Sequence, residues 1–414
     1  MRSYHFFLVC LTILWQSLGV PDATAAQIAE IIVQNPGDAP RLNEYLIVSL
    51  QSGSGMIGDH CLLIDTSAGD TVFAQVFGRK SDRDGRLSRF FLIAPVDLGP
   101  HQVRTFHIAN GSKTDKIPAS DLVLSGKDLD LVIENRYYRA DLRRDETEDG
   151  QRYHSGQLNR LEFKDHGDLI LSRKSNRMHW GPNFRRSGEE DYTTTAHWDP
   201  PDSVLLETGP YLIRLLREGP APGIPEINVL TCYYFLAGQP YFTFYSEISI
   251  LKDVSLSLLR NDEMTMDSLF TNVAFNRGEG PIEDYTFAER DKVLHSDPVP
   301  NSAPWLCFYN AGLHYAYGSI RILYDIRNDQ GLPSPTYMPH TKISNGAGGG
   351  KYWNRRLIHE KDTFVPAGSC YREENAYLLF ETGGNKPFDR ITRLSEKLRH
   401  PVQISVRYPG GFGE

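Results

Sequence analysis

The chain has 414 residues, 40% of them apolar and 11% aromatic, and a formal net charge of −8. That length exceeds one simple core and predicts two domains, or one large β domain with a smaller partner. An acidic balance with no long basic block excludes a phosphate-backbone partner, so no nucleic acid is expected.

Residues 1–25 read as an export signal. Arg2 supplies the positive region, "FFLVCLTILW" the apolar run, and Ala23–Ala25 the small residues for cleavage. The run is short for a membrane span and no later apolar stretch is long enough, so no span is expected. A secreted or periplasmic location follows as an expectation. Cleavage leaves Cys61, Cys232, Cys307 and Cys370. An oxidising compartment permits bridges, and the pairing stays open. Cys232 with Cys307 is the preferred pair if one forms, because both lie in strand-like segments. The wide spacing fits no zinc motif.

Residues 26–125 carry a β pattern. "YLIVSL", "CLLIDT", "TVFAQVFG", "RFFLIAPV" and "QVRTFHIAN" are short β-branched or aromatic runs separated by Gly, Asp, Asn and Pro. A small barrel or sandwich is expected there. The boundary falls in "KTDKIPASDLVLSGKD", and residues 126–414 form the second domain. "LDLVIENRYYRADLRR" opens it. In "YFTFYSEISI", Phe242, Phe244, Ile248 and Ile250 alternate with Thr243, Tyr245, Glu247 and Ser249, which puts the apolar set on one face. Further strands are expected in "PYLIRLLREG", "INVLTCYYFLAG", "GSIRILYDI" and "NAYLLFET". No helix-length segments separate them, so the fold class is all-β with a large antiparallel sandwich. One helix is predicted over Pro387–His400, with Phe388, Ile391, Leu394 and Leu398 on one face. Three stretches lack strand pattern and are expected as long, functional loops: Lys174–Ser203, Arg277–Ala303 and Asn328–Lys351.

Several of these segments resemble a known family. "IIVQNPGDAPRLNEYLIVSL", "FAQVFG" and "VDLGPHQVRTFHI" resemble the small β-barrel that precedes sugar-processing sandwiches. "LVIENRYYRADL" and "GQLNRLEF" resemble the opening strands of the galactose-mutarotase-like supersandwich. "ETGPYLIRLLREG" and "CYYFLAGQPYFTFYSEISI" look like the central sandwich of rhamnogalacturonan exolyases. The resemblance implies those two β modules and a sugar-related activity. That family adds a large α/α toroid, which has no counterpart here, so no catalytic residue carries over.

Two stretches hold the residue types that sugar chemistry needs. "MHWGPNFRRSGEEDYTTTAHWDPPD" contains His179, Trp180, Asn183, Arg185, Arg186, Tyr192, His197 and Trp198. Indole faces stack on sugar rings, and arginines hold carboxylates at two points. His179, His197, Tyr192 and Arg186 are the catalytic candidates: proton carriers and the cation that steadies an enolate-like state. Trp180, Asn183, Arg185 and Trp198 are the substrate-binding candidates. "SNGAGGGKYWNRRLIHEKD" supplies a glycine-rich lip before Lys351, Tyr352, Trp353, Asn354, Arg355 and Arg356. Of these, Lys351, Tyr352, Trp353 and Arg355 are binding candidates, with His314 from "WLCFYNAGLHYAYGS". The two His-Trp pairs lack metal spacing, so no metal site is assigned and no cofactor is expected; calcium stays open, because its loop ligands need no fixed spacing. Absence of G-x-S-x-G argues against a serine hydrolase.

These readings point to an exported polysaccharide lyase cleaving a uronic-acid-containing glycan by β-elimination, with an acidic polysaccharide or oligosaccharide as partner. The alternatives are a non-catalytic glycan-binding module and a glycoside hydrolase or sugar epimerase on the same fold. The two stretches make a joint site only if they line one face.

Overall fold

The computed structural model describes residues 28–409, apart from 52–57, 59, 85–86, 145–152, 165–168, 175, 268–269, 295–296 and 346–349. The export signal and Gly346, Gly348 and Gly349 lie outside the described residues. Two compact units result. One takes residues up to Ala119, Gly209–Leu212 and those from His400; the other takes Ser120–Thr208 and Ile213–Arg399.

The first unit begins with β1 (Glu30–Gln34), β2 (Arg41–Gln51), β3 (His60–Asp65), β4 (Thr71–Ser81), β5 (Leu87–Leu98) and β6 (Val103–Asn110). The second starts with β7 (Val123–Lys127), β8 (Asp130–Glu134), β9 (Tyr138–Asp141), β10 (Arg160–Phe163) and β11 (Leu169–Ser172). It continues with β12 (Asn183–Arg186), β13 (Thr193–Thr194), β14 (Ser203–Glu207), β15 (Leu212–Ala221), β16 (Ile224–Leu236), β17 (Tyr241–Ile250), β18 (Val254–Met266), β19 (Asn272–Asn276) and β20 (Glu283–Thr286). Then come α1 (Phe287–Leu294), β21 (Trp305–Asn310), β22 (Tyr315–Asp325), β23 (His340–Asn345), β24 (Lys351–Val365), β25 (Cys370–Glu381) and α2 (Asp389–Arg399). Last among the strands, β26 (Gln403–Arg407) pairs antiparallel with β1 and so forms one end of the sheet of the first unit, ordered β2-β5-β4-β3-β6-β1-β26. The sequence pattern assigned these last residues to the large domain; pairing along a free strand edge places them in the small one.

The second unit holds three antiparallel sheets. They are the run β7–β11, a five-stranded sheet β13-β12-β18-β24-β23, and a nine-stranded sheet β14-β15-β16-β17-β25-β22-β21-β19-β20. The all-β sandwich expected from alternation is what forms. In β17, Phe242, Phe244, Ile248 and Ile250 are all buried. Two clusters build the unit's core. Tyr233, Phe242, Phe244, Phe308, Trp353 and Tyr377 anchor one; Phe184, Trp198, Ile227, Ile248, Leu357 and Tyr371 anchor the other. The predicted helix is α2, with Ile391 buried in it, Phe388 buried just before it, and Lys397 and Arg399 in its last turn, where cations oppose the negative end of the dipole.

Three expectations change. The loop Lys174–Ser203 contains β12 and β13, the loop Arg277–Ala303 contains β20 and α1, and Asn328–Lys351 contains β23. Lys351, expected at the end of a loop, and the residues to Arg356 after it are the start of the fifteen-residue β24. Its alternation is real, yet both faces carry polar residues, so a hydrophobicity pattern misses it. Cys232 and Cys307 do not bridge: both are buried free thiols, as are Cys61 and Cys370.

Candidate functional site

The site is built by strand register. Asn183 on β12 pairs with Arg260 on β18, Arg260 with Arg356 on β24, and Arg356 with His340 on β23. Residues directly opposite in an antiparallel ladder share a face. Four segments distant in sequence therefore contribute one polar row across the five-stranded sheet.

A bulge divides the polar run "RNDE" between the two faces. Register shifts between Asn261 and Met264, so that Asp262 and Glu263 together oppose Asn354 alone, one residue in excess, with Asp262 at a positive φ of 43. Extra residues of this kind re-aim side chains. Asp262 points toward the nine-stranded sheet. It accepts from Trp353 Nε1 at 3.1 Å, the Tyr377 hydroxyl at 2.9 Å and the Ser319 hydroxyl at 3.0 Å. Glu263 points the other way and accepts from Asn183 Nδ2 at 2.7 Å, with the Arg260 guanidinium 3.9 Å off.

Around Glu263 the outer face assembles. The Arg260 guanidinium lies over the Tyr192 ring at 5.8 Å, and the Tyr192 hydroxyl accepts from Trp180 Nε1 at 3.1 Å. Further along, the Arg356 guanidinium lies against His359, 2.9 Å from Nε2, and the His340 and His359 rings meet edge-on at 5.3 Å. Burial pushes the Glu263 carboxyl up, against the pull of Arg260 and Asn183. Burial, then the charge of Arg356, pushes His359 down to about 4, and burial lowers His340 as well. At neutral pH both imidazoles are therefore uncharged. Asn183 Oδ1 and Arg260 Nε are buried without a partner among the described residues. The face thus offers two guanidiniums, neutral imidazoles, a phenol and unsatisfied polar atoms, which together can hold an anion and move a proton. Among the described residues no three His, Cys, Asp or Glu side chains are grouped to hold a metal ion.

Of the residues singled out from sequence, Trp180, Asn183, Tyr192 and Tyr352 belong to this face. Tyr352 sits further along β24, paired with Thr265. Others do not. His179 is fully buried among Tyr233, Phe244 and Tyr377, with its pKa held well below the ordinary value by burial. It is a neutral core residue rather than a solvent-facing proton carrier. Trp353 and Arg355 point inward, Arg355 to Glu373 at 2.8 Å. Trp198 packs in the core and donates to the Pro220 carbonyl at 2.8 Å. Arg186 is paired with Glu226, and Arg185 donates to the Ser257 hydroxyl at 2.9 Å. Both guanidiniums have protein partners in place of a substrate carboxylate. His197 is sandwiched by the Tyr153 ring at 4.6 Å and the Trp180 edge at 5.3 Å. Lys351 lies over the Phe287 ring at 4.7 Å. His314 is exposed in the turn between β21 and β22 at φ 57, hydrogen-bonded through its backbone to Asn310.

Arg260, Glu263, His340 and His359 were not among the sequence candidates. The signal that could have found the first two is "RNDE", four polar residues interrupting an otherwise apolar strand pattern, the mark of a bulge.

No family model matches the sequence, and no curated protein matches it. Solved structures do. A protein of glycosyl hydrolase family 38 from Enterococcus faecalis matches at a TM-score of 0.52 and 10% identity, over 92% of this chain and 47% of that one. An alpha-mannosidase from the same organism matches at 0.48 and 9%, over 92% and 46%. A galactose mutarotase-like protein from Lactobacillus casei matches at 0.35 and 8%, over 63% of this chain and 100% of that one. The chain spans about half the length of the first two. At such identities the likeness is one of fold: an all-β sandwich.

Proposed function

We propose that this chain is a carbohydrate-active protein that cleaves a uronic-acid-containing glycan by β-elimination on the outer face of the five-stranded sheet. The observation that carries the reading is the placing of Arg260 and Arg356 beside the neutral His359 on the face that also holds Tyr192. The resemblance to exolyase β modules and the sandwich fold shared with sugar-processing proteins support the substrate class. The N-terminal signal pattern fits action outside the cytoplasm.

The chemistry follows from the residue types. A sugar carboxylate between the two guanidiniums has its charge offset, which stabilises the enolate-like state formed as the neighbouring C5 loses its proton. A ring nitrogen of His359 takes that proton. The C5–H electrons become the C4=C5 bond, the C4–O bond breaks, and the departing oxygen takes a proton from the Tyr192 hydroxyl. The products are an unsaturated sugar end and a chain with a free hydroxyl. In the free protein Arg356 both contacts His359 and suppresses its basicity; a bound carboxylate competes for that guanidinium and makes His359 a stronger base.

The test is ultraviolet absorbance of the new double bond on pectic, alginate, ulvan-like and glycosaminoglycan substrates, with and without calcium. Turnover should fall by roughly 10²–10³-fold in Arg356→Ala and His359→Ala, the loss typical of a removed transition-state partner. Release of reducing ends without absorbance would make the protein a hydrolase, and binding without either would make it a binding module.

A further inference from the structure

The first unit carries a cavity of about 450 Å³, inside the range of about 300–1,000 Å³ usual for small-molecule sites. Its floor comes from the outer side of the β3–β4 hairpin. Cys61 and Leu63 on β3 point into the core, so Leu62 and its cross-strand partner Phe73 point away from it and stay half-buried. Two apolar residues opposite each other on the solvent side of a small sheet break the usual inside–outside alternation.

The walls are fixed in place. Phe73 stacks on His60 at 4.6 Å and 15°, and His60 Nε2 is 3.0 Å from Asp115. Asp115 also accepts from the Ser112 backbone at 2.7 Å. Tyr211 meets Phe73 at 6.1 Å, and its backbone N–H donates to Gln75 Oε1 at 3.0 Å, while Gln75 Nε2 donates to the Leu212 carbonyl at 2.9 Å. Three polar groups of the lining stand unused: the Tyr211 hydroxyl, the Thr71 hydroxyl and the exposed Lys116 ammonium have no side-chain partner among the described residues.

We propose that this cavity is a second glycan site, binding one acidic sugar residue with its ring against Phe73 and Tyr211 and its carboxylate on Lys116. Aromatic rings match the apolar face of a pyranose, and the free hydroxyls of Tyr211 and Thr71 match its polar rim. Asp115, already held by His60 and Ser112, can accept from a sugar hydroxyl without moving. Pre-set walls keep the ordering cost of binding low. The choice of an acidic sugar rests partly on the proposed function, but the site uses none of the outer-face residues.

Affinity electrophoresis of the full chain through gels containing polygalacturonate, alginate, hyaluronan or neutral galactan tests it. At least one acidic polymer should retard the protein, and Lys116→Ala and Phe73→Ala should each weaken retardation, by roughly tenfold for Lys116 as expected for one lost charge-assisted contact. Thr71→Ala, an exposed change, gives a smaller loss without a folding risk. Arg356→Ala should remain retarded even when turnover is gone, so failure of the catalytic reading leaves this result standing. Equal retardation of wild type and all three cavity variants overturns the proposal. So does a preference for galactan, an absence of retardation, or retardation lost in Arg356→Ala alone.

Discussion

Replacing His179 with phenylalanine should lower stability at neutral pH and make the protein less sensitive to acid. The imidazole is fully buried, 4.3 Å from the Phe244 ring, and Nδ1 lies 2.6 Å from the Tyr233 hydroxyl. Nε2 has no partner among the described residues. Burial, aided by the nearby Arg217 charge, keeps the ring neutral far below the usual histidine range. An unfolded histidine takes up a proton near pH 6.5. Below that pH the unfolded state therefore holds about one more proton than the folded state, and stability falls by about 1.4 kcal/mol per pH unit. Between pH 6.5 and pH 5 the loss is about 2 kcal/mol. At pH 8 the variant should be weaker by about 1–3 kcal/mol, because the Tyr233 hydroxyl loses the imidazole and keeps the Leu158 N–H that it accepts from. That gap should shrink below pH 6.5 and nearly close at pH 5. His340 and His359 shift in the same direction but are common to both proteins and cancel in the difference. Urea unfolding at several pH values from 5 to 8 measures it. A gap that stays constant across that range would refute the account of a neutral buried imidazole.

Arg355→Met should cost roughly 3–5 kcal/mol, since it strands Glu373 in the core, while Arg355→Met with Glu373→Leu should recover much of that; paired chemical denaturation checks both. Phe242→Ala should cost roughly 3–5 kcal/mol by opening a cavity in the aromatic core, read as a lowered urea midpoint. The four described cysteines should resist a thiol reagent in the native protein and react once it is unfolded, because all are buried and burial pushes the Cys61 thiol up to about 12. If His359 is the base, the acid limb of kcat/KM should fall near pH 4 rather than at the usual histidine value, since activity needs the neutral ring and its charged form is disfavoured. An acid limb near pH 6.5 would remove His359 from that role.

Much of the fold was legible because alternation is a local property. The period of two in "YFTFYSEISI" is β17, and the amphipathic "PFDRITRLSEKLRH" is α2. β24 was missed at its start because Tyr352, Asn354 and Arg356 on one face and Trp353 and Arg355 on the other are all polar or aromatic, leaving no hydrophobic contrast. The candidate site was half legible. Trp180, Asn183 and Tyr192 came from a stretch rich in sugar-binding residue types. Arg260 and Glu263 sit in a strand that composition alone reads as structural, while His340 lies in the expected loop Asn328–Lys351 and His359 near the end of the second candidate stretch, where neither was singled out.

By itself the sequence determined that the chain is all-β, that its segments with clear alternation become strands, and which residue types are available for an acidic sugar, because those depend on neighbours one or two positions away. Only the tertiary structure decided which faces those residues occupy. The bulge at Asp262 and Glu263 sends one carboxylate into the core and the other outward, and register across four strands sets Asn183, Arg260, Arg356 and His340 in a row. The same packing turns His179, Trp353 and Arg355 into the aromatic and charged core, because successive side chains of a strand point to opposite faces.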